Sequence, residues 1–243
     1  MSNEILYAII QAATEFLPIS SSGHLALLSN ILDTPNLFLI TTLHLASLLA
    51  VLIFTRREIY DLITFKPHAR NLWKYLIIAT IPAALFGFFF KNLVEQSLSS
   101  LLIIGIGFLF TGTILFITRF SHRMEMINTK NSIIIGLFQT IALFPGVSRS
   151  GMTISAALLS GIPRDKAAKF SFLLFIPLAI GASILEIGDA YFSSELAIAF
   201  VICFILSLIF LNALTYVIKR NKFWLFSIYC WIIGIITIFI HFT

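Results

Sequence analysis

The chain has 243 residues, of which 59% are hydrophobic and only 11% are charged. Soluble globular domains carry about 25% charged residues, so this composition excludes a soluble protein and indicates a polytopic membrane protein. The formal net charge of +5 suggests a nucleic-acid partner at first sight. The positions of the basic residues, described below, favour a membrane topology signal instead.

Long apolar runs predict six transmembrane helices and an all-α fold. Each run has about 16–22 residues, enough at ~1.5 Å per residue to cross a hydrocarbon core of roughly 30 Å. The predicted spans are 37–54, 72–90, 101–118, 170–185, 197–218 and 224–242.

Two further apolar stretches, 4–31 and 132–161, are interrupted in the middle. The interruptions are LPISSSGH at 17–24 and FPGVSRSG at 144–151, and clusters of Pro, Gly and Ser end helices and free their backbone groups. Too few residues remain on either side to cross a membrane, and broken backbone is tolerated there only inside protein or beside a wet cavity. We therefore interpret both stretches as re-entrant helix hairpins that enter and leave on one face.

Nearly all lysines and arginines fall in the segments 56–74, 119–130, 164–169 and 219–222. With six spans and two hairpins that do not cross, these segments lie on one side of the membrane. The positive-inside rule identifies that side as cytoplasmic. The distribution of basic residues then indicates the membrane topology, and no nucleic-acid partner is expected.

An internal repeat relates the two interruptions. QAATEFLPISSSG at 11–23 and QTIALFPGVSRSG at 139–151 share five identities at a constant offset of 128. Each half of a single integral membrane domain, about 1–120 and 121–243, then contains one hairpin and three spans. Because three is odd, the second half is inverted relative to the first, and the hairpin tips meet near the membrane midplane.

The residues at these tips predict a site for an anion that has many oxygens. Each interruption ends where a new helix begins, and helix N-termini offer unpaired N–H groups and a positive dipole. Ser20 or Ser21 can cap the first of these helices, and Ser148 can cap the second. Arg149 adds a permanent cation suited to phosphate. The hydroxyls beside it belong to Ser20, Ser21, Ser22, Ser148, Ser150 and Thr153.

Glu15, in the first interrupted stretch, points to a bound cation. A carboxylate beside an anion is repulsive unless a positive ion lies between them, and Mg²⁺ or Ca²⁺ takes carboxylate, carbonyl and phosphate oxygens. Gln11, four residues earlier on the same helical face, offers a second oxygen. Structural roles stay open for single residues: Glu15 can pair with Arg149, and His44, which has no matching partner, is more simply a packing residue.

The segments Q-x-x-x-E-F-L-P-I-S-S-S-G-H (11–24), P-G-V-S-R-S-G-M-T-I-S (145–155) and F-S-F-L-L-F-I-P (170–177) resemble the signature motifs of the undecaprenyl-diphosphate phosphatase family, the bacitracin-resistance family. The resemblance implies a metal-dependent enzyme of the bacterial plasma membrane, with its site open to the outer side. Such an enzyme removes the terminal phosphate of a polyprenyl diphosphate lipid. It thereby recycles the carrier for peptidoglycan and other envelope glycans.

Carried over by position, the resemblance implies catalytic roles for Glu15, Ser21, His24 and Arg149. Many family members have Glu where this chain has Gln11, which leaves one carboxylate and puts direct metal ligation by Gln11 in question. Ser21 is the expected nucleophile, with Glu15 or His24 as its base. Direct attack by water and attack by His24 are the alternatives.

Two other functions are alternatives. A polyprenyl-phosphate transporter or flippase would also have inverted repeats and broken helices. The type-2 phosphatidic acid phosphatases share S-G-H and S-R elements, but their upstream Lys…Arg-Pro and terminal His-x-x-x-Asp are missing from this sequence. Oligomeric state stays open, because Gly105, Gly107 and Gly112 can pack helices within one chain or in a homodimer.

Overall fold

The computed structural model describes residues 3–30, 32, 35–67, 69–121, 125–185 and 193–242, and in this part of the chain all regular structure is helical. The helices are α1 (Asn3–Phe16), α2 (Ser21–Ser29), α3 (Leu37–Phe54), α4 (Arg56–Ile63), α5 (Arg70–Phe89), α6 (Lys91–Ser97), α7 (Leu101–Ile117), α8 (Thr129–Ile141), α9 (Arg149–Leu159), α10 (Arg164–Leu185), α11 (Ser194–Lys219) and α12 (Phe226–Phe242). Short 3-10 turns at Thr118–Phe120 and Phe223–Leu225 adjoin α7 and α12.

Among the described helices, α3, α5, α7, α10, α11 and α12 are long and apolar enough to cross a membrane. They confirm the six predicted spans, with one boundary that differs clearly. The helix α10 begins at Arg164, well before the predicted start at 170. Charged side chains in its first turns lower the hydropathy there, although Ala167 and Ala168 in the same turns are buried.

Two short helices, α4 and α6, lie outside the predicted spans because their sequences are polar. α4 follows the first span and carries Glu58, whose carboxylate accepts an ion-pair contact from Lys169 of α10 at 2.5 Å. α6 follows α5 and carries Lys91 and Glu95, which pair with each other at 3.4 Å.

The four basic segments contact one another. Besides the Lys169–Glu58 pair, three contacts connect these segments or residues close to their ends. Arg119 lies over the ring of Trp224 at 4.8 Å, Arg164 donates to the side chain of Asn221 at 2.6 Å, and the amide of Glu125 donates to the carbonyl of Gly161 at 2.8 Å. The segments therefore lie together in the structure, as expected if they share one side of the membrane.

The two interrupted stretches each form a helix, a break and a second helix. The first break spans 17–20, between α1 and α2, and the second spans 142–148, between α8 and α9. Both breaks end earlier than the predicted 17–24 and 144–151, because the serines cap the next helix immediately. Ser20 accepts a hydrogen bond from the amide of Gly23 at 3.3 Å, and Ser148 accepts one from Gly151 at 3.1 Å. Ile31, the last residue of the first predicted hairpin, lies outside the described residues.

Helix packing brings the second half of the chain against the first. α1 contacts α11, α8 contacts α5, α7 contacts α12, and α3 contacts both α10 and α11. Gly105 and Gly112 of α7 face α12, where an added Cβ would lie 2.5 Å from Ile238 and 2.6 Å from Trp231 respectively. These two glycines therefore pack helices within one chain.

Candidate functional site

The two breaks lie against each other inside the helical bundle. A Cβ added at Gly23 would lie 3.0 Å from the backbone of Gly146 and 2.7 Å from the ring of Phe108. Across the same junction, Ser150 donates a hydrogen bond from its hydroxyl to the carbonyl of Leu17 at 3.4 Å. Ser150 and Leu17 are 133 positions apart in the sequence, and they meet at this junction.

Two charged residues that flank the breaks form a buried pair. Arg149 Nη2 donates to Glu15 Oε1 at 2.5 Å, and the two side chains are only 15% and 7% exposed. The guanidinium also lies 4.1 Å from the ring centre of Phe175, which belongs to the 170–177 motif. A buried ion pair with several contacts of this kind fixes both side chains, whereas an unpaired charge would be strongly destabilising there.

The second oxygen of Glu15 accepts two hydrogen bonds. Ser21 donates its hydroxyl to Oε2 at 2.7 Å, and Gln11 donates its side-chain amide to the same atom at 3.0 Å. Ser21 is the first residue of α2, and Gln11 lies one turn before Glu15 on α1. The carboxylate therefore joins the predicted nucleophile, the predicted metal ligand and the predicted phosphate-binding arginine in one network.

His24 is close to this network, but both its ring nitrogens are engaged elsewhere. Nδ1 lies 2.7 Å from the carbonyl of Ser20, and Nε2 lies 2.7 Å from the hydroxyl of Tyr229. Because a carbonyl only accepts, Nδ1 carries the proton in the neutral ring, and Nε2 accepts from Tyr229. The two rings also stack, with centres 5.7 Å apart. Tyr229, on α12, gave no signal in the sequence because it is 205 residues from His24.

Most of the predicted hydroxyl ligands bond within the protein. Ser20 and Ser148 cap α2 and α9, and their hydroxyls lie 3.3 Å from those of Ser22 and Ser150 respectively. Thr153 lies 2.6 Å from the hydroxyl of Ser171 on α10, which the sequence did not single out. In matched geometry, Ser20 and Ser148 thus hold the backbone at the starts of α2 and α9.

A cavity of about 480 Å³ opens beside the site between α2, α3, α6 and α10. Its lining includes Ser22 of α2, His44 of α3, the Lys91–Glu95 pair of α6 and several aliphatic side chains. His44 Nε2 lies 3.8 Å from Glu15 Oε2, so this residue, interpreted above as a packing residue, reaches the site. An apolar cavity with a few polar groups is typical of a ligand site.

Metal donors in the described residues are few. No group of three or more His, Cys, Asp and Glu side chains is present among them. Among the described residues, Glu15 supplies the one carboxylate that contacts Ser21 and Arg149, and Gln11 Oε1 is a buried oxygen without a hydrogen-bond partner. An unpartnered buried acceptor costs roughly 1–3 kcal/mol, and a cation would satisfy it.

Six apolar helices and a buried polar site between two helix breaks define this chain as a multi-pass α-helical membrane protein. The chain belongs to the bacitracin resistance protein BacA family, whose sequence model matches residues 4–236. It is 42% identical to an undecaprenyl-diphosphatase of Thermosipho africanus over 98% of this chain and 99% of that protein. Similar proteins of the same name occur in Korarchaeum cryptofilum, 37% identical with 97% of each chain covered, and Methanococcus maripaludis, 37% identical with 94% of this chain and 96% of that one covered.

Proposed function

We propose that this chain hydrolyses undecaprenyl diphosphate to undecaprenyl phosphate and inorganic phosphate. The observation that carries the proposal is the Glu15 carboxylate, with the Ser21 hydroxyl on one oxygen and the Arg149 guanidinium on the other. Phosphoryl transfer needs a positioned nucleophile, a base and neutralised phosphate charge, and this cluster supplies all three. The lipid product would re-enter the carrier pool for peptidoglycan and other envelope glycans, and the activity would confer the resistance for which the family is named.

We infer one integral membrane domain with two inverted halves. At the sequence offset of 128, α1 corresponds to α8, α3 to α10, α5 to α11 and α7 to α12. Each of these helices packs on a helix of the opposite half. α1 contacts α11, and their counterparts α8 and α5 contact each other in the same way. α3 also contacts its own counterpart α10, and α7 contacts its counterpart α12. A two-fold relation between the halves predicts these paired contacts, and inverted repeats place a binding site at the interface between the halves.

We infer that both helix pairs are re-entrant. α1 and α8, the longer members, have 14 and 13 residues. At ~1.5 Å per residue they are about 20 Å long, which is short of a hydrocarbon core of roughly 30 Å. The hydrogen bond from Glu125 to Gly161 joins the two outer ends of the second pair, which supports entry and exit on one face.

In the proposed reaction, the Ser21 hydroxyl attacks the terminal phosphorus and passes its proton to Glu15 Oε2, to which it already donates at 2.7 Å. The serine O–P bond forms while the bond from that phosphorus to the bridging oxygen breaks, and undecaprenyl phosphate leaves. Water then attacks the same phosphorus, the serine O–P bond breaks, the proton held by Glu15 returns to the Ser21 oxygen, and inorganic phosphate leaves. Arg149 binds the phosphate oxygens and offsets their charge. Direct attack by water, with Ser21 only orienting the phosphate, is the alternative.

We assign the base to Glu15 and a positioning role to His24. Glu15 already accepts the Ser21 hydrogen bond, whereas His24 Nε2 accepts from Tyr229 and Nδ1 donates to Ser20. We likewise assign diphosphate binding to Arg149, to Ser22 beside the cavity, and to the N–H groups at the starts of α2 and α9. The remaining hydroxyls of the predicted set, those of Ser20, Ser148, Ser150 and Thr153, then keep the two breaks in shape.

A divalent cation, Mg²⁺ or Ca²⁺, would bind the Glu15 carboxylate and, once the terminal amide that now donates to Oε2 has rotated, Gln11 Oε1 as well. When bound, the ion would neutralise charge on the diphosphate. Glu15 and Gln11 would hold it on α1, next to the Ser21 hydroxyl that Glu15 orients.

We infer that the polyprenyl chain approaches through the cavity between α2, α3, α6 and α10, whose lining is mainly aliphatic. The clustered basic segments would be cytoplasmic by the positive-inside rule. Lys91 and Glu95, at the far end of α5 from those segments, would then lie on the outer side of the bacterial plasma membrane. The site would accordingly open outward.

The test is inorganic phosphate release from undecaprenyl and farnesyl diphosphate by detergent-purified protein, with and without EDTA. Release that requires a metal and is lost in Ser21→Ala and Arg149→Ala supports the proposal. Retained release in Ser21→Ala favours attack by water or by His24, and Ser21→Ala combined with His24→Gln distinguishes these two. No release by folded protein across metals and lipids refutes hydrolysis, and lipid-phosphate transport in proteoliposomes would then be measured, since broken helices also serve transporters.

A further inference from the structure

We propose that His44 is a nitrogen ligand of the divalent cation, because its Nε2 faces Glu15 Oε2 across the same corner of the site at 3.8 Å. The inference rests on the metal-dependent hydrolysis proposed above. It assigns the ion one carboxylate, one imidazole and one amide oxygen as protein ligands.

The ring of His44 is held with one nitrogen free for a ligand. Nδ1 lies 2.9 Å from the carbonyl of Ile40, one helical turn earlier on α3. A carbonyl only accepts, so Nδ1 carries the proton in the neutral ring, and Nε2 keeps its lone pair. Metal-binding histidines generally donate their other ring nitrogen to a backbone carbonyl or carboxylate in this manner.

The free nitrogen faces another acceptor. Glu15 Oε2 lies 3.8 Å from Nε2, a distance too long for a hydrogen bond. Typical metal–nitrogen and metal–oxygen distances are about 2.0–2.2 Å, so two ligands of one ion lie roughly 3–4 Å apart, and the present separation falls within that range. Protonation of His44 would instead give a simple ion pair with Glu15 and no metal ligand.

A second observation points to a cation at the same carboxylate. Gln11 is fully buried, its amide nitrogen bonds to Glu15 Oε2, and its Oε1 has no partner. Rotation of this terminal amide would turn the unpartnered oxygen towards the carboxylate corner. Three lone-pair donors, from Gln11, Glu15 and His44, would then converge from α1 and α3, and the site would still be open to the cavity that His44 lines.

The donor set makes a prediction about metal choice. Oxygen ligands suit Mg²⁺, Ca²⁺ and Mn²⁺ alike, whereas an added imidazole favours first-row transition ions, of which Mn²⁺ is the weakest binder. We therefore expect Mn²⁺ to bind more tightly than Ca²⁺, and the preference to shrink in His44→Gln.

The experiment is electron spin-echo envelope modulation of Mn²⁺ bound to the full-length protein in detergent, without lipid. The expected result is imidazole nitrogen modulation in the wild type that changes on labelling with ¹⁵N-histidine. It should vanish in His44→Gln and persist in the matched variant His24→Gln. The dissociation constant for Mn²⁺ should rise at least about 10-fold in His44→Gln, since even groups outside the ligand sphere change metal affinity by 10–100-fold.

Mn²⁺ that binds stoichiometrically without nitrogen modulation would overturn the role of His44 and leave the proposed hydrolysis intact. Modulation that survives in His44→Gln would do the same. Absence of any Mn²⁺ binding, together with phosphate release that resists EDTA, would remove the metal itself from the proposed function. Gel filtration of each variant shows whether the protein under test is folded.

Discussion

Replacement of Arg149 by methionine should affect stability and activity for separate reasons. The substitution keeps most of the apolar stem but removes the guanidinium, which pairs with Glu15 and lies over the ring of Phe175. Glu15 is then a buried carboxylate, 7% exposed, with hydrogen bonds from Ser21 and Gln11 but no opposite charge. Breaking a buried ion pair from one side typically destabilises a protein by about 3–5 kcal/mol.

The double variant Arg149→Met with Glu15→Gln separates the two effects. Neutralising both partners removes the unpaired buried charge. Proteins in which a buried ion pair is replaced by neutral groups of similar volume are often about as stable as the original. We expect most of the lost thermal stability to return. Activity should not return, because loss of an arginine that stabilises a phosphoryl-transfer transition state costs about 10³–10⁵ in rate.

Arg119→Met is the matched control, since Arg119 is exposed and its described contact is the ring of Trp224 at 4.8 Å. An exposed cation–π contact contributes about 0.5–1 kcal/mol, so this variant should lose little stability and no activity. The assays are thermal unfolding in detergent and phosphate release at saturating lipid. A double variant that stays as unstable as Arg149→Met, or a single variant with activity within tenfold of wild type, would refute the reasoning.

Three further substitutions test the site and the proposed path of the lipid substrate to it. Tyr229→Phe removes a hydrogen bond to His24, and a loss of about 0.5–1.5 kcal/mol should lower kcat by about 2–10-fold; an unchanged kcat would contradict the positioning role. Ala182→Trp in the cavity lining should raise KM for undecaprenyl diphosphate, while Ala213→Trp on an exposed face of α11 should not; equal effects would argue against that lipid path. Gly23→Ala should destabilise the protein by about 1–3 kcal/mol, because the new Cβ would overlap Phe108 and the backbone of Gly146. An unchanged unfolding temperature would show that the surrounding structure relaxes to fit the added methyl group.

The spans and breaks could be predicted because their causes are local. Apolar runs such as 37–54 define a helix by composition, and Pro18 and Gly146 mark chain breaks in any context. The predicted capping by Ser148 is confirmed, and of the two candidates in the first break Ser20 is the cap. The choice between Ser20 and Ser21 could not be made from the sequence, because adjacent serines have the same capping chemistry. Ser20 caps α2 with φ of 66°, a left-handed conformation that a serine rarely adopts without surrounding support.

Two contacts of the site residues could not be predicted, because they join distant parts of the chain that no repeat or motif relates. Tyr229 reaches His24 from α12, and His44 reaches Glu15 from α3. Neither pair has a spacing signal, and a histidine on a transmembrane helix is as consistent with packing as with ligation. The predicted pairing of Glu15 with Arg149 is present, together with contacts from Ser21 and Gln11 that fit a catalytic site.

The repeat explains why one carboxylate serves both breaks. At the offset of 128, Ser21 corresponds to Arg149, and each is the first residue of its helix after a capping serine. The same backbone position thus carries a hydroxyl in one half and a guanidinium in the other. The hydroxyl donates to Oε2 of Glu15 at 2.7 Å and the guanidinium to Oε1 at 2.5 Å.

Glu15 itself corresponds to Leu143, so only the first half carries the acid. The equivalent residues Ser21 and Arg149 therefore both contact Glu15, which has no acidic counterpart in the second half. This asymmetry suits a reaction that needs a nucleophile on one side of a phosphate and a cation on the other. Exchange of the two residues, Ser21→Arg with Arg149→Ser, would preserve the network's composition but reverse these sides. We expect such a variant to fold and to release no phosphate, because attack and charge neutralisation would then come from the wrong directions.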